Sequence, residues 1–231
     1  MTRRWWKVGL VCVCSMAALA LLLVLSSDLP VAGAASLRVC RSGCPYDTVQ
    51  AAVDVAQPGD TVEIATGVYT GVVERAGLSQ MAYITKGLTL RGGFNEDFTL
   101  RDPELYVTTL DAEGKGRVIY VSGDISVTLD GLQLINGHSS SSGAGVYAEG
   151  ATLQVSDTVI ADNRVSPNTN GNYGVGLYLR SGSLTMQDSI VRGNQPITGG
   201  ENRHDGGGLY AVDATVEIRS SQFLSNTASF G

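Results

Sequence analysis

Three stretches align without a gap: GAGVYAEGATLQVSDTVIADN (143–163), GVGLYLRSGSLTMQDSIVRGN (174–194) and GGGLYAVDATVEIRSSQFLSN (206–226). Tyr147, Tyr178 and Tyr210 correspond, as do Asn163, Asn194 and Asn226, and each Tyr precedes its Asn by 16 residues. The period is 31 and then 32, with all variation falling between one Asn and the next Gly-rich start. A fixed unit joined by variable loops is the signature of a solenoid.

Alternation inside the unit gives its cross-section. Val146 and Ala148 share one parity, Leu153 and Val155 a second, Thr158 and Ile160 a third. The other units repeat this with Leu177/Leu179, Leu184/Met186, Ser189/Val191 and with Leu209/Ala211, Val216/Ile218, Ser221/Phe223. Period two marks strands. A change of phase marks a corner, because a slip of one residue turns every side chain over. Corners fall at Glu149-Gly150, near Asp157 and at Asp162-Asn163. Three strands and three corners make one coil of a three-sided solenoid. Equivalent strands run the same way, so each side is a parallel sheet with coils about 4.8 Å apart. Crossover chirality favours the right-handed winding. The predicted fold is all-β, a right-handed parallel β-helix of about five to seven coils.

Earlier segments fit the same plan. In GRVIYVSGDISVTLDGLQLINGH (116–138), Val127/Leu129 match Leu153/Val155 and Leu132/Leu134 match Thr158/Ile160. TVEIATGVYT (61–70) and GLTLRGGF (87–94) read as strands of the first coils. Ahead of them, Asp47 to Ala56 reads as a short helix with Val49, Ala52, Val53 and Ala56 on one face, Asp47 as N-cap, and Pro58-Gly59-Asp60 as the stop. Such a helix covers the first end of the solenoid, where strand edges would otherwise lie open.

On these residues the chain resembles known families. DTVQAAVDVAQPGDTVEIATGVYT (47–70) resembles the opening of pectin-lyase-like β-helix domains. GGGLY (206–210) and FLSN (223–226) resemble the paired motifs of chlamydial polymorphic outer-membrane protein repeats, although the other units carry Ile160 and Val191 where Phe223 stands. The resemblance covers residues 47–231 and implies the fold. It does not choose among the lyases, hydrolases, esterases, epimerases and adhesins that share it.

The N-terminus reads as an export signal. Arg3, Arg4 and Lys7 precede an apolar run from Val8 to Leu25, and Ala32-Gly33-Ala34 fits an A-x-A cleavage site. The 18-residue run is also long enough for an uncleaved anchor with its basic end inside; the well-placed small residues favour cleavage. Residues 1–34 are thus a signal peptide or signal anchor, and residues 35–231 the β-helix domain, secreted or at the cell surface. Cleavage removes three cations and one acid from a chain of formal charge −6 and leaves −8. No basic patch for nucleic acid is present, and a membrane is expected only through the N-terminal segment. The last repeat stops without a capping repeat, which reads as truncation of a longer protein.

Cys12 and Cys14 belong to the signal, leaving Cys40 and Cys44 in the mature chain. A close even pair in an exported protein reads as a disulfide, with free thiols or half a metal site as the alternatives. No His lies nearby and no second pair exists in the mature chain, which disfavours zinc. No cofactor is implied.

Asp157 and Asp188 occupy equivalent positions one coil apart, which suits calcium or a held proton, yet both fall at a corner where Asp favours a turn. The Asn163, Asn194, Asn226 column suits an amide ladder. His138 and His204 lie in the variable loops, the latter in the charged run Glu201-Asn202-Arg203-His204-Asp205. Gly137-His138-Ser139 distantly resembles a Gly-His-Gly element of polygalacturonases, but that family's acidic and basic motifs are missing. Arg180 and Arg192 are present, as a pectate lyase would need, with no sequence feature setting them beside acids.

The tyrosines make the more site-like pattern. If Val146, Leu177 and Leu209 point inward, Tyr147, Tyr178 and Tyr210 point outward on one face. A flat aromatic ladder would offer ring faces to sugars; otherwise the rings cover the sheet and each other. The loops 138–145, 164–173 and 195–205 form a rim beside it. The expectation is a non-enzymatic module that binds a polysaccharide or a cell-surface partner. The alternative is a polysaccharide lyase or glycoside hydrolase.

Overall fold

Thr152–Ser156 pairs in parallel with Ser126–Asp130 on one side and with Ser183 to Gln187 on the other, so that Val127, Leu153 and Leu184 share one register position. In the same way Val159–Ala161 lies between Gln133–Ile135 and Ile190–Arg192. Each strand pairs with its counterpart one repeat away, as the alignment requires. The structure, a computed structural model, describes residues 33–166, 172–197 and 204–228. The basic and apolar stretches that read as a signal, with Cys12 and Cys14, lie outside the described residues. So do 167–171, 198–203 and the last three residues of the chain.

The part from Ala34 onward is all-β apart from one short helix, and its sheets are largely parallel. An eleven-stranded sheet begins with Ser36–Val39 and Thr61–Ala65, and it takes in both the Thr152–Ser156 and the Val146–Glu149 series. A six-stranded sheet stacks Gly67–Thr70, Thr108–Asp111, Gln133–Ile135, Val159–Ala161, Ile190–Arg192 and Gln222–Leu224. The exception to parallel pairing among the named strands is Val73–Arg75 against Leu78–Ile84. Aliphatic side chains from the two sheets meet in one core. Leu134, Ile160 and Val191 are in register and fully buried, as are Leu129 and Met186 from the opposite sheet. Burial of each such side chain contributes about 1.5–3 kcal/mol.

The corners explain the Asp and Ser residues found there. Asp157, Asp188 and Ser220 have φ of 47°, 49° and 46°, and Asn136, Asp162 and Ser225 turn the next corner with φ of 54°, 58° and 52°. Left-handed backbone is tolerated best by residues whose short polar side chains bond locally. The remaining corner differs from expectation. Gly150 breaks the strand in the first clear repeat, but in the next two the chain runs on as Leu177–Gln187 and Leu209–Arg219. Ser181 and Asp213, each with positive φ, bend these strands without ending the ladder, since Ser183 N–H still donates to the Ala151 carbonyl at 3.0 Å. The variable loops also contain short paired strands that the alternation did not reveal: His138–Ser139, Arg164–Val165 and Gln195–Pro196 form one set, Asn172–Tyr173 and His204–Asp205 another.

The helix α1 spans Val49–Val55 and buries Val49, Ala52 and Val53, with Ala56 just beyond it. Its N-cap is Thr48, whose hydroxyl accepts from Ala51 N–H at 3.3 Å; this corrects the assignment of the cap to Asp47. Gln50 ties α1 to the sheet by accepting from Tyr83 N–H at 2.7 Å. Cys40 and Cys44 are joined in a disulfide with a Cα–Cα distance of 5.6 Å. The Tyr69 hydroxyl, buried below this end, donates toward the Ala65 and Val39 carbonyls at 3.0 and 3.3 Å, and burial pushes its phenol up to about 12.

Candidate functional site

Tyr147 pairs in register with Tyr120 on one side and with Tyr178 on the other, and Tyr178 pairs with Tyr210. Tyr83 continues the line beyond Tyr120. Both chain neighbours of each interior tyrosine point inward: Ile119 and Val121, Val146 and Ala148, and Leu177 and Leu179 are all fully buried. Period two therefore sends the rings to the outer side of the sheet. The column holds five tyrosines, two more than the repeat alignment identified. Their signal was the apolar-Tyr-apolar triplet, present as Ala82-Tyr83-Ile84 and Ile119-Tyr120-Val121.

The rings do not present flat faces outward. Successive centroids from Tyr83 to Tyr210 lie 5.0, 5.0, 5.1 and 6.0 Å apart and every pair is stacked, with interplanar angles of 1°, 2°, 23° and 2°. Parallel strands repeat at nearly the thickness of a stacked ring pair, so in-register aromatics turn their faces to one another. The surface offered to a ligand is a row of ring edges and hydroxyls. Tyr173, from the loop before the second clear repeat, tilts against Tyr210 at 4.7 Å.

Polar groups fix the middle of the column. The Arg117 guanidinium, nearly buried, lies 5.4 Å from the Tyr147 ring centroid and donates to the Ser142 carbonyl and the Ser141 hydroxyl. Burial lowers the affinity of Arg117 for its proton. The Tyr147 hydroxyl donates to Glu149 at 3.0 Å, and Glu149 meets Arg180 at 3.4 Å. Burial first, with the neighbouring Tyr83 phenol after it, raises the Tyr120 phenol above its ordinary value; burial and then the hydrogen bond to Glu149 raise Tyr147; burial raises Tyr178. These three hydroxyls therefore stay protonated across the ordinary pH range, that of Tyr147 with its proton given to Glu149.

The other candidates fall elsewhere. His138 lies in the strand set of Arg164–Val165, and His204 in the separate pair with Asn172–Tyr173, so the two histidines are not brought together. His138 Nε2 is 2.7 Å from the Ser166 hydroxyl and lines a cleft of about 560 Å³ with Asp111, Glu113, Asp162 and Arg164. Asp205 lies away from that cleft, in register with Tyr173, where its carbonyl accepts from Gly174 N–H at 3.0 Å. Asp157 and Asp188 share a second cleft with Asp102 and Glu104. Burial raises the Asp157 carboxyl, reinforced by Asp130 and opposed by Arg101. Among the described residues no cluster of three or more His, Cys, Asp or Glu is arranged to hold a metal ion. Arg180 and Arg192 do stand beside acids, Glu149 and Asp162. Those acids belong to the preceding repeat, a neighbourhood visible only once the register is known. Comparison with known protein families, curated proteins and solved structures finds no match to this chain.

Proposed function

We propose that the chain is an exported or cell-surface protein whose residues 35–231 form a right-handed parallel β-helix, and that it is a non-enzymatic binding module which holds a polysaccharide along its tyrosine column. The winding rests on the parallel register from repeat to repeat, the right-handed preference of such crossovers and the resemblance of residues 47–70 to pectin-lyase-like domains. Export rests on the basic, apolar and small-residue order of the N-terminus, with the Cys40–Cys44 disulfide in keeping with an oxidising compartment.

One observation carries the binding reading: five stacked tyrosines make a continuous row of hydroxyl-tipped edges along one sheet. An extended ligand with hydroxyls recurring along its length meets phenol groups on rings spaced 5.0–6.0 Å apart, with Tyr147 as an acceptor because its proton goes to Glu149, and a fixed row costs little ordering on binding. A free chain of sugars fits that description. The cleft beside His138, where acids and a base meet, favours the second reading of a polysaccharide lyase or glycoside hydrolase. A glycan array followed by incubation of each hit with the protein separates the two. Binding with the polysaccharide recovered at its original length supports the module. Shortened or unsaturated products would replace it with the enzyme, and His138 would be the first residue to substitute.

A further inference from the structure

Ala35 N–H donates to Asp60 Oδ1 at 2.7 Å, and the other carboxylate oxygen accepts from Gln57 N–H at 2.7 Å. Asp60 is almost fully buried, held in the turn that follows α1, where its own N–H donates to the Gln57 carbonyl at 3.0 Å. Lys86 adds positive charge near Asp60, although its ammonium is engaged by the Ala56 and Asp54 carbonyls. Ala34 and Ala35 are exposed, and the first strand begins at the next residue, Ser36.

The A-x-A site of the sequence points independently to the same place. Ala32-Gly33-Ala34 puts small residues at the first and third positions before the Ala34–Ala35 bond. We propose that signal peptidase hydrolyses the Ala34–Ala35 bond and that Asp60 is the receptor for the new α-ammonium of Ala35. Water supplies the atoms: the C–N bond breaks, Ala34 keeps the carboxylate and leaves with the signal, and the freed nitrogen of Ala35 takes up protons to become an ammonium. The neutral N–H···O bond to Asp60 is then a charge-assisted one, shorter and roughly twice as strong. Its consequence is local. Ser36–Val39 is the outermost strand on its edge of the eleven-stranded sheet. Its start is already tied to Asp60 through the Ala35 N–H, and processing turns that tie into the stronger charge-assisted one, so the fold tightens once the signal has gone.

This rests on the export reading, and the test separates the two. The full precursor is expressed in an exporting host, and the recovered protein is read by mass spectrometry. The expected first residue is Ala35. The α-amine is then titrated by NMR, with an expected midpoint above the ordinary ~7.7–8.0. Selective acetylation of that amine is expected to lower Tm with Asp60 untouched, and Asp60→Asn to bring the midpoint back to the ordinary range. An exported protein that begins at another residue, or keeps residues 1–34 as an anchor, overturns the inference and leaves export standing. So do an ordinary midpoint and an unchanged Tm after acetylation. Retention of the intact precursor in the cytoplasm would overturn both.

Discussion

The Asn163 Nδ2 donates to Oδ1 of Asn194 at 2.9 Å, and both side chains are fully buried. Asn194 in turn donates to Asn226 Oδ1 at 2.9 Å and to the Ile160 carbonyl at 2.9 Å, while its Oδ1 also accepts from Asn163 N–H at 3.1 Å. The ladder saturates the corner backbone as well as itself. Asn194→Ala leaves buried donors and acceptors without partners, which costs about 1–3 kcal/mol. Urea denaturation should register a loss in that range. A loss below the error of extrapolation would mean that water replaces the amide.

Asn163 shows what the sequence makes legible. Between 143 and 226 the spacing of the repeat is nearly constant, so most strands, two of the three corners and the inward set follow from alignment, while the strands that run on through Ser181 and Asp213 do not. Earlier repeats are harder to align, because an insertion lengthens the tyrosine interval to 37 residues from Tyr83 and a deletion shortens it to 27 from Tyr120. Tyr83 and Tyr120 stay hidden until the register brings them into line. Two-residue strands such as His138–Ser139 are too short to show a period. Ring orientation depends on neighbours a full repeat away, and so an outward tyrosine was readable while its stacking was not.

Tyr69 predicts an alkaline limit. Its phenol is neutral in the fold up to about 12, whereas the unfolded chain ionises near ~10. Stability should be unaffected by this group below pH 10 and fall as pH rises from 10 to 12. Melting curves of Tyr69→Phe should fall less steeply over that window than the wild type, with a lower Tm at neutral pH from the lost hydrogen bonds. Parallel curves would assign the alkaline loss to other groups.

Two carboxyls act in opposite directions in acid. Hydrogen bonds from Gln57 N–H and then Ala35 N–H hold Asp60 below the usual carboxylate value, so its stabilisation is complete above ~3.8 and lost as pH falls below that. Asp157 is raised, so its ionised form disfavours the fold as pH climbs past its normal value. Asp157→Asn keeps a residue that tolerates the left-handed corner and should raise Tm at pH 7 while leaving it unchanged at pH 3. A lower Tm at pH 7 would show that the negative charge is used.

The last described strands leave an apolar edge. Val216 and Ile218 are 37% and 41% exposed, while Leu184 and Met186, one repeat earlier in the same register, are 1% and 0%. Unpaired strand edges of this kind template association. Protein spanning residues 35–231 should therefore associate as concentration rises in sedimentation runs, and Ile218→Lys should shift it toward monomer. A dilution-independent monomer would contradict this.

The central claim is that hydroxyl-tipped ring edges hold a polysaccharide. Replacing Tyr120, Tyr147 and Tyr178 together by Phe keeps the stacked rings and removes three hydroxyls from the row, with little effect on a fold whose core they do not enter. Calorimetric titration of the best array hit into wild type and triple variant is the most direct test. The account predicts tight binding to the wild type and a loss of at least tenfold in the variant, with Tm lowered only slightly by the loss of the Tyr147–Glu149 bond. Equal affinity in the two proteins would contradict it.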